Sequence, residues 1–425
     1  MKRISFLSFI FFVGIIGYCQ DIAVLKEYTP PFKQGDAKWK SFNCARERIL
    51  ALQIPDSLIS QISTRRLLEL CLDFPYLTDM YAFENHQQGF MCMISEYNGY
   101  GELLKRNDIM DELLYEYSKI GLSVPFLSSA SNLEKGKYSF KCDLLVKLIK
   151  TIEAINGLPE SVDERLLTQT EINIGIIQSH PELFGTMCKE SLSSFYHAKK
   201  MSTYTNDSRY DGEIVYKDGA YYRLSTRNTP ASSNVVVGTL TSSDLDSIEV
   251  DVLVYNVLHN YNNVNVVGVP TRKYNGHGHA WYQSDGHPFD WVWIGVVSDQ
   301  DEDVYKQDGS YYSVTPTQAT HVVYSNEHTA IRLPNGRYRS KWDILPLVEH
   351  DSLEVPAGFG TPVGFYKKFS PSLSGPSFFY SSATYSLGVI PSGYTVNWNL
   401  SDSYYYNHNL FINQLPNYRS LSYYV

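Results

Sequence analysis

Between about residue 38 and residue 200 the apolar positions recur at three- and four-residue intervals, and the chain reads as helices. Leu67, Leu68, Cys71 and Leu72 make one apolar face, stopped by Pro75. Ile109, Leu113, Tyr117 and Ile120 make a second, with Asp108 suited to the N-cap and Gly121 to the C-terminal cap. The longest stripe is Leu144, Leu145, Leu148, Ile149, Ile152 and Ile155, ended by Gly157. Such stripes bury themselves against one another, which predicts a helical bundle or array.

Near residue 205 the pattern changes to short runs of Tyr, Val and Thr broken by turn dipeptides, the signature of strands and hairpins. Val215 to Tyr222 and Val304 to Tyr312 both place an Asp-Gly pair between β-forming flanks, so both are expected as hairpins. The likeness between them is short and goes no further than shared turn chemistry. Beyond residue 356 charge thins out and Ser, Pro, Gly and Tyr dominate. Strand-like pieces at 384–389 and 394–400 suggest a β-sandwich module of immunoglobulin-like type, short or incomplete at about 70 residues where a sandwich takes about 100.

The first twenty residues stand apart. Lys2 and Arg3 precede an apolar run from Ile4 to Tyr18, which has the length of a signal peptide and is short for a bilayer span. Gly17 and Cys19 fit a cleavage site that leaves Gln20 first. A lipid anchor on Cys19 is disfavoured by the bulk of Tyr18. No later run approaches the roughly 20 apolar residues of a transmembrane helix, so the expectation is an exported chain in the periplasm, on the outer surface or outside the cell. The domains expected are a signal peptide over 1–19, a helical domain over 20–204, an α+β domain over 205–355 and the β module over 356–425.

Composition narrows the partners. With 43% hydrophobic and 19% charged residues, the chain is built to fold. A net charge of −9 and the lack of basic runs interleaved with aromatics exclude nucleic acid as a natural partner. After Cys19 the cysteines are Cys44, Cys71, Cys92, Cys142 and Cys188, with no CxxC pair, so a metal knuckle is not expected. Cys71 and Cys142 sit on apolar faces and read as buried. No cysteine follows Cys188.

Candidate chemistry gathers where the histidines do. Of 11 histidines, six lie between His277 and His350. The densest stretch runs Tyr274-Asn275-Gly276-His277-Gly278-His279-Ala280-Trp281, followed by Asp285, His287, Asp290, Trp291 and Trp293, then by His328, Ser340-Lys341-Trp342, Asp343 and Glu349-His350. Clustered titratable groups of this kind mark a candidate site. Two histidines two apart on a strand would face the same way, and His277, His279 and His287 with Asp285 or Asp290 would then suit zinc and a zinc-dependent hydrolase. If the stretch opens a helix, that motive disappears. Trp281, Trp291, Trp293 and Trp342 would stack on sugars or peptides in a groove, although each taken singly reads as core.

Over roughly residues 265 to 350 the order of these blocks resembles exported bacterial members of the papain-like cysteine peptidase and amidase superfamily, the cell-wall-hydrolase-like branch. Those relatives carry Asn-Cys-His-Gly-Tyr-Ala-Trp where this chain has Asn275 to Trp281. The resemblance implies a small α+β domain in which a cysteine opens a helix packed on a sheet, a histidine comes from a strand, and a polar group fixes that histidine's tautomer. By position His328 would be the general base. The orienting group would be His350, matched to the family's closing histidine, or Asp343, which a two-residue hairpin at Asn335-Gly336 would place opposite His328. The cleft would be lined by Tyr274, Asn275, Gly276, His277, Trp281 and Trp293.

The nucleophile position is Gly276, and His279 stands where the family has tyrosine. Ser284 lies two helical turns further on and is no substitute. The reading is therefore a catalytically inactive relative, without a cofactor, that binds peptide or peptidoglycan fragments. The alternatives are an active cysteine peptidase or amidase if position 276 is cysteine in the native gene, the zinc hydrolase, and a non-enzymatic envelope adhesion or scaffold protein. Returning a cysteine to position 276 is expected to restore a reactive thiol.

Overall fold

A computed structural model describes residues 28–200, 212–292 and 303–370, apart from residues 84 and 327, and short strands beyond residue 370. The expected signal peptide, Cys19 and Trp293 lie outside the described residues, as does most of 371–425. The N-terminal half is helical and the C-terminal half is rich in antiparallel sheet. No described helix is long and apolar enough to cross a membrane.

The main helices of the first half are α1 (Ala45–Leu52), α2 (Thr64–Leu72), α3 (His86–Glu96), α4 (Ile109–Ser118), α5 (Asn132–Asn156), α6 (Glu160–Ser179) and α7 (Thr186–Lys200). In α2, Leu67, Leu68, Cys71 and Leu72 are buried on the face that the spacing predicts. α5 starts with a reciprocal cap: Ser131 Oγ accepts from the Glu134 amide at 3.2 Å, and the Glu134 carboxylate accepts from the Ser131 amide at 2.8 Å. Gly157, at φ +66°, turns the chain out of α5. The last residue of its stripe, Ile155, is 57% exposed, in a final turn whose residues Ala154 to Asn156 are all exposed. α4 also ends earlier than its stripe suggests. After Ser118 it tightens into a 3-10 turn over Lys119–Ser123, so Gly121 is not its cap. Asp108 makes no side-chain cap and instead accepts a hydrogen bond from Thr64 Oγ1 at 2.6 Å.

The second half opens with β1 (Ile214–Lys217), β2 (Ala220–Asn228) and β3 (Asn234–Leu240), which with β5 (Trp291–Val292) form a four-stranded sheet in the order β1-β2-β3-β5. The β1–β2 turn is the expected hairpin. Asp218 and Gly219 both have positive φ, +45° and +87°, the paired left-handed geometry of a type I′ turn. The echo at 304–312 is no hairpin: Asp303–Gln307 is a short helix leading through Gly309 into β6 (Tyr311–Ser313), with Tyr305 packed on Trp281. Burial of that tyrosine overrides the local turn preference.

Helix α8 (Ser247–Asn260) packs on α5 and leads to a seven-stranded antiparallel sheet. It contains β4 (Asn265–Gly268), β6, β7 (His321–Tyr324), β8 (Thr329–Arg332), β9 (Tyr338–Lys341), β10 (Leu347–His350) and β11 (Pro362–Lys368), in the order β4-β10-β9-β8-β7-β11-β6. β11 lies beyond the boundary expected at residue 355, yet it pairs with both β7 and β6 inside the sheet. The sheet-bearing unit therefore continues to at least Lys368. The stretch where charge thins out leads into a further strand of this sheet, not into a linker. Beyond it, β12 (Leu373–Ser374), β13 (Ala383–Leu387), β15 (Ser403–Tyr406) and β16 (Asn409–Ile412) form a four-stranded antiparallel sheet, while β14 (Asn397–Trp398) pairs with β17 (Tyr423–Tyr424).

The two halves share one core. Trp39 and Tyr76 from the helical half pack in the same cluster as Tyr261, Trp342 and Val348. Buried polar links cross the same boundary: Arg48 pairs with Glu354, and the Tyr261 hydroxyl donates to Asp79. A buried ion pair of this kind specifies geometry more than it stabilises, since desolvation offsets much of its attraction.

Candidate functional site

Gly276 opens a short helical segment that passes into a π-turn at Gly278–Tyr282. Asn275 fixes its start. The fully buried carboxamide accepts from the Gly278 amide at 2.8 Å and from the Val292 amide at 3.2 Å, and donates to the Val292 carbonyl at 2.8 Å. That clamp ties the helix mouth to β5. Gly278 allows it, because a Cβ there would meet the Asp290 carbonyl oxygen at 2.3 Å.

The helix mouth sits against β8 and β9. A Cβ on Gly276 would lie 3.4 Å from both Nδ1 and Cε1 of His328 and 2.9 Å from the carbonyl oxygen of Lys341. An imidazole thus faces the position a thiol would leave from, but backbone already presses into that space. Lys341 is itself immobile: its buried ammonium donates to the carbonyls of Thr271, Asp343 and Leu345, which saturates its three donors. Burial pushes its pKa down to about 7. A cysteine at 276 therefore displaces the Lys341 strand end rather than dropping into an open seat, contrary to the simple restoration expected from the sequence.

His328 is dry and unoriented. It is 6% exposed, its ring lies flat on Phe359 with centroids 3.8 Å apart, and Nε2 has no hydrogen-bond partner among the described residues. Phe359 belongs to the turn Ala357–Phe359 and in turn meets Phe83 of the helical half, edge-on at 5.6 Å. Burial holds the His328 pKa well below its ordinary value, and the neighbouring His277 and His350 add to the effect.

Neither expected orienting group reaches His328. The β8–β9 connection has three residues, not two: the Leu333 amide donates to Arg337 O, and Gly336 takes a left-handed φ of +84°. Ile331 therefore pairs with Arg339, and extending that register puts Trp342, not Asp343, across from His328. A one-residue slip changes the face on which a side chain lies. Asp343, at φ +48°, leaves the strand and places a carboxylate oxygen 3.6 Å from His86 Nε2, a contact with the helical half that nothing in the sequence signalled. His350 is fully engaged elsewhere. Trp342 Nε1 donates to Ser340 Oγ at 2.9 Å, Ser340 Oγ meets His350 Nε2 at 2.8 Å, and His350 Nδ1 meets the Asp351 carbonyl at 2.9 Å. A neutral ring with its proton on Nδ1 satisfies that chain throughout.

The remaining candidates are packed rather than presented. Tyr274, Asn275, His277 and Trp281 are all buried, so they do not line an open groove. Trp291 and Trp342 are buried as well. Because 276–282 is helical, His277 and His279 do not point together: His277 Nδ1 meets Thr329 Oγ1 at 3.2 Å, His279 Nδ1 meets Gln283 at 3.2 Å, and His287 stacks on Tyr282. Asp285 accepts from Tyr311 and pairs with Lys368, and Asp290 accepts from Thr239. Among the described residues no three His, Cys, Asp or Glu side chains gather as a metal site. His321, which the resemblance did not use, lies under the same helix, stacked on Trp281 with Nε2 2.8 Å from the Ala280 carbonyl. No family model matches the chain, and neither a curated protein nor a solved structure matches it significantly.

Gly276→Ala is expected to lower stability by about 1–3 kcal/mol, since the new methyl group meets a fixed carbonyl. Gly175→Ala, in an exposed turn of α6 with nothing within 4 Å, should instead gain about 0.5–1 kcal/mol. Urea unfolding of the two variants checks the contrast, and a neutral or stabilising Gly276→Ala would contradict the packing described.

The histidines also set an acid limit. Burial pushes the pKa of His279, His321 and His350 down to about 4, and that of His328 well below its ordinary value. The unfolded rings protonate near the ordinary value of about 6.5, so the stability these four contribute is present above that pH and lost as pH falls towards 4. Asp79 and Glu249, raised by burial to about 7, work in the opposite sense over much of the same range. Glu190, Glu354 and Asp73 are raised by burial as well, while Asp143, Glu116, Glu47 and Glu134 are lowered and lose stability with the rings, so the balance is a net loss on acidification. The urea midpoint should therefore fall between about pH 6.5 and 4.5, and a midpoint that rises over that range would refute the assignment.

Proposed function

We propose that the chain is an exported, catalytically silent relative of the papain-like peptidases and amidases that binds peptide or peptidoglycan fragments without cleaving them. One observation carries the reading: a histidine at the head of a strand faces, at van der Waals distance, the first residue of a helix packed on an antiparallel sheet, and that residue is glycine. The juxtaposition is the one thiol catalysis requires, since the imidazole must touch the nucleophile to take its proton. Three further features argue for silence. The seat holds no side chain, the base has no orienting partner among the described residues, and a phenylalanine covers one face of its ring.

The β module beyond residue 370 belongs, in this reading, to an immunoglobulin-like sandwich that presents the chain at the envelope. The edge strand β4 gives fragments a place to bind. Among the described residues it pairs on one side only, with β10, and its Val267 and the following Val269 are exposed. An extended peptide adds to such an edge through main-chain hydrogen bonds.

The test is to incubate the purified chain with peptidoglycan stem peptides and muropeptides, following hydrolysis by mass spectrometry and retention on the immobilised protein. The expected outcome is retention of intact fragments. Hydrolysis that disappears in His328→Ala would overturn the silence, and failure to retain any fragment would overturn the recognition.

A further inference from the structure

A second concentration of charge lies away from Gly276, where the β1–β2 turn meets the helical half. A cavity of about 190 Å³ opens there between α3, α5, α7 and the turn. That volume holds about six waters at the roughly 30 Å³ each occupies in the liquid. It falls below the roughly 300 Å³ at which pockets for drug-sized ligands begin, so a disaccharide or a peptide is too large.

Most of its charges are already matched. On α5, Asp143 receives Lys147 at 2.7 Å and 2.8 Å and also the Tyr81 hydroxyl. On α7, Glu190 pairs with Arg272 at 3.0 Å. Two groups on different elements of the lining are left over, Lys150 and Asp218, and they do not pair with each other. Lys150 sits one turn beyond Lys147, beside the Phe195 ring, and has no carboxylate within ion-pairing distance among the described residues. Asp218, at the tip of the β1–β2 turn, has one ion-pairing contact among the described residues, the imidazole of His86 at 3.9 Å. His86 lines the same cavity, is 6% exposed, and has an Nε2 without a hydrogen-bond partner among the described residues.

A half-buried cation and a half-buried anion that line one cavity without pairing are each under-solvated, and a ligand carrying both charges relieves both at once. We infer that this cavity binds a free amino acid or a zwitterion of that size, its carboxylate on Lys150 and the Ser194 hydroxyl and its ammonium on Asp218. An inorganic anion would leave Asp218 unmatched, and a diamine would face Lys150. The lining comes from both halves of the chain, so the bound ligand also ties the turn to the helices. The inference does not depend on the papain-like reading, because no residue of the Gly276 site lines the cavity.

Calorimetry and thermal shift on the full chain at neutral pH test it, with a panel of free amino acids, their N-acetyl and amide derivatives, and inorganic phosphate. At least one free amino acid should bind and raise the melting temperature. Acetylation and amidation should each weaken it by about tenfold or more, because each removes one charge. Lys150→Met and Asp218→Asn, each with circular dichroism and melting temperature like the parent, should lose about tenfold in affinity. The assignment is overturned if no free amino acid binds at about 10 mM, if a derivative binds as well as its parent, or if phosphate binds more tightly than every amino acid.

Discussion

The approach of Gly276 to the Lys341 carbonyl is the contact on which the arrangement of the β domain turns. It brings the helix mouth against β9 closely enough that only a hydrogen fits between them, and it sets His328 in contact with the same point. Two saturated polar groups fix the contact: the Asn275 carboxamide binds the helix start to β5, and the Lys341 ammonium binds the carbonyls of Thr271 before the helix and of Asp343 and Leu345 after β9. Such groups are costly to bury and costlier to leave half satisfied, so they hold one geometry. The space where a nucleophile would stand has become part of the packed interior.

The covering of His328 extends this logic to the helical half. Phe359 lies on the imidazole and Phe83 backs it, while Gly358 beside them would strike Phe83 and Cys92 if it carried a Cβ. The two halves are therefore interlocked at the candidate site as well as at the Arg48–Glu354 pair and the charged cavity. A ring stripped of solvent and held neutral is a poor proton acceptor, and no partner among the described residues fixes its tautomer at Nε2.

Much of this was legible in the residues, and the misses have local causes. Periodicity found the helices because α2 and α5 bury most of the positions it marked, and Asp218-Gly219 announced the hairpin because a type I′ turn favours such a pair, with both residues at positive φ. The nearness of His328 to Gly276 was what the resemblance implied, and the two are in contact. The register error came from counting Asn335-Gly336 as the whole loop, when Pro334 also belongs to it and Gly336 takes the left-handed position of a three-residue turn. Burial of Tyr305 and the insertion of β11 into the sheet are tertiary effects without a local signal. The same holds for the contact of Asp343 with His86, which joins residues more than 250 positions apart.

The central claim is a distance, and nuclear Overhauser spectroscopy on glycine- and histidine-labelled, otherwise deuterated protein measures it directly. A cross-peak between the Gly276 α protons and the Hε1 proton of His328, absent in Gly276→Ala or reduced as the strand end shifts, is the result the account predicts. A His328 ring that shows no contact with Gly276 and exchanges freely with solvent would contradict it.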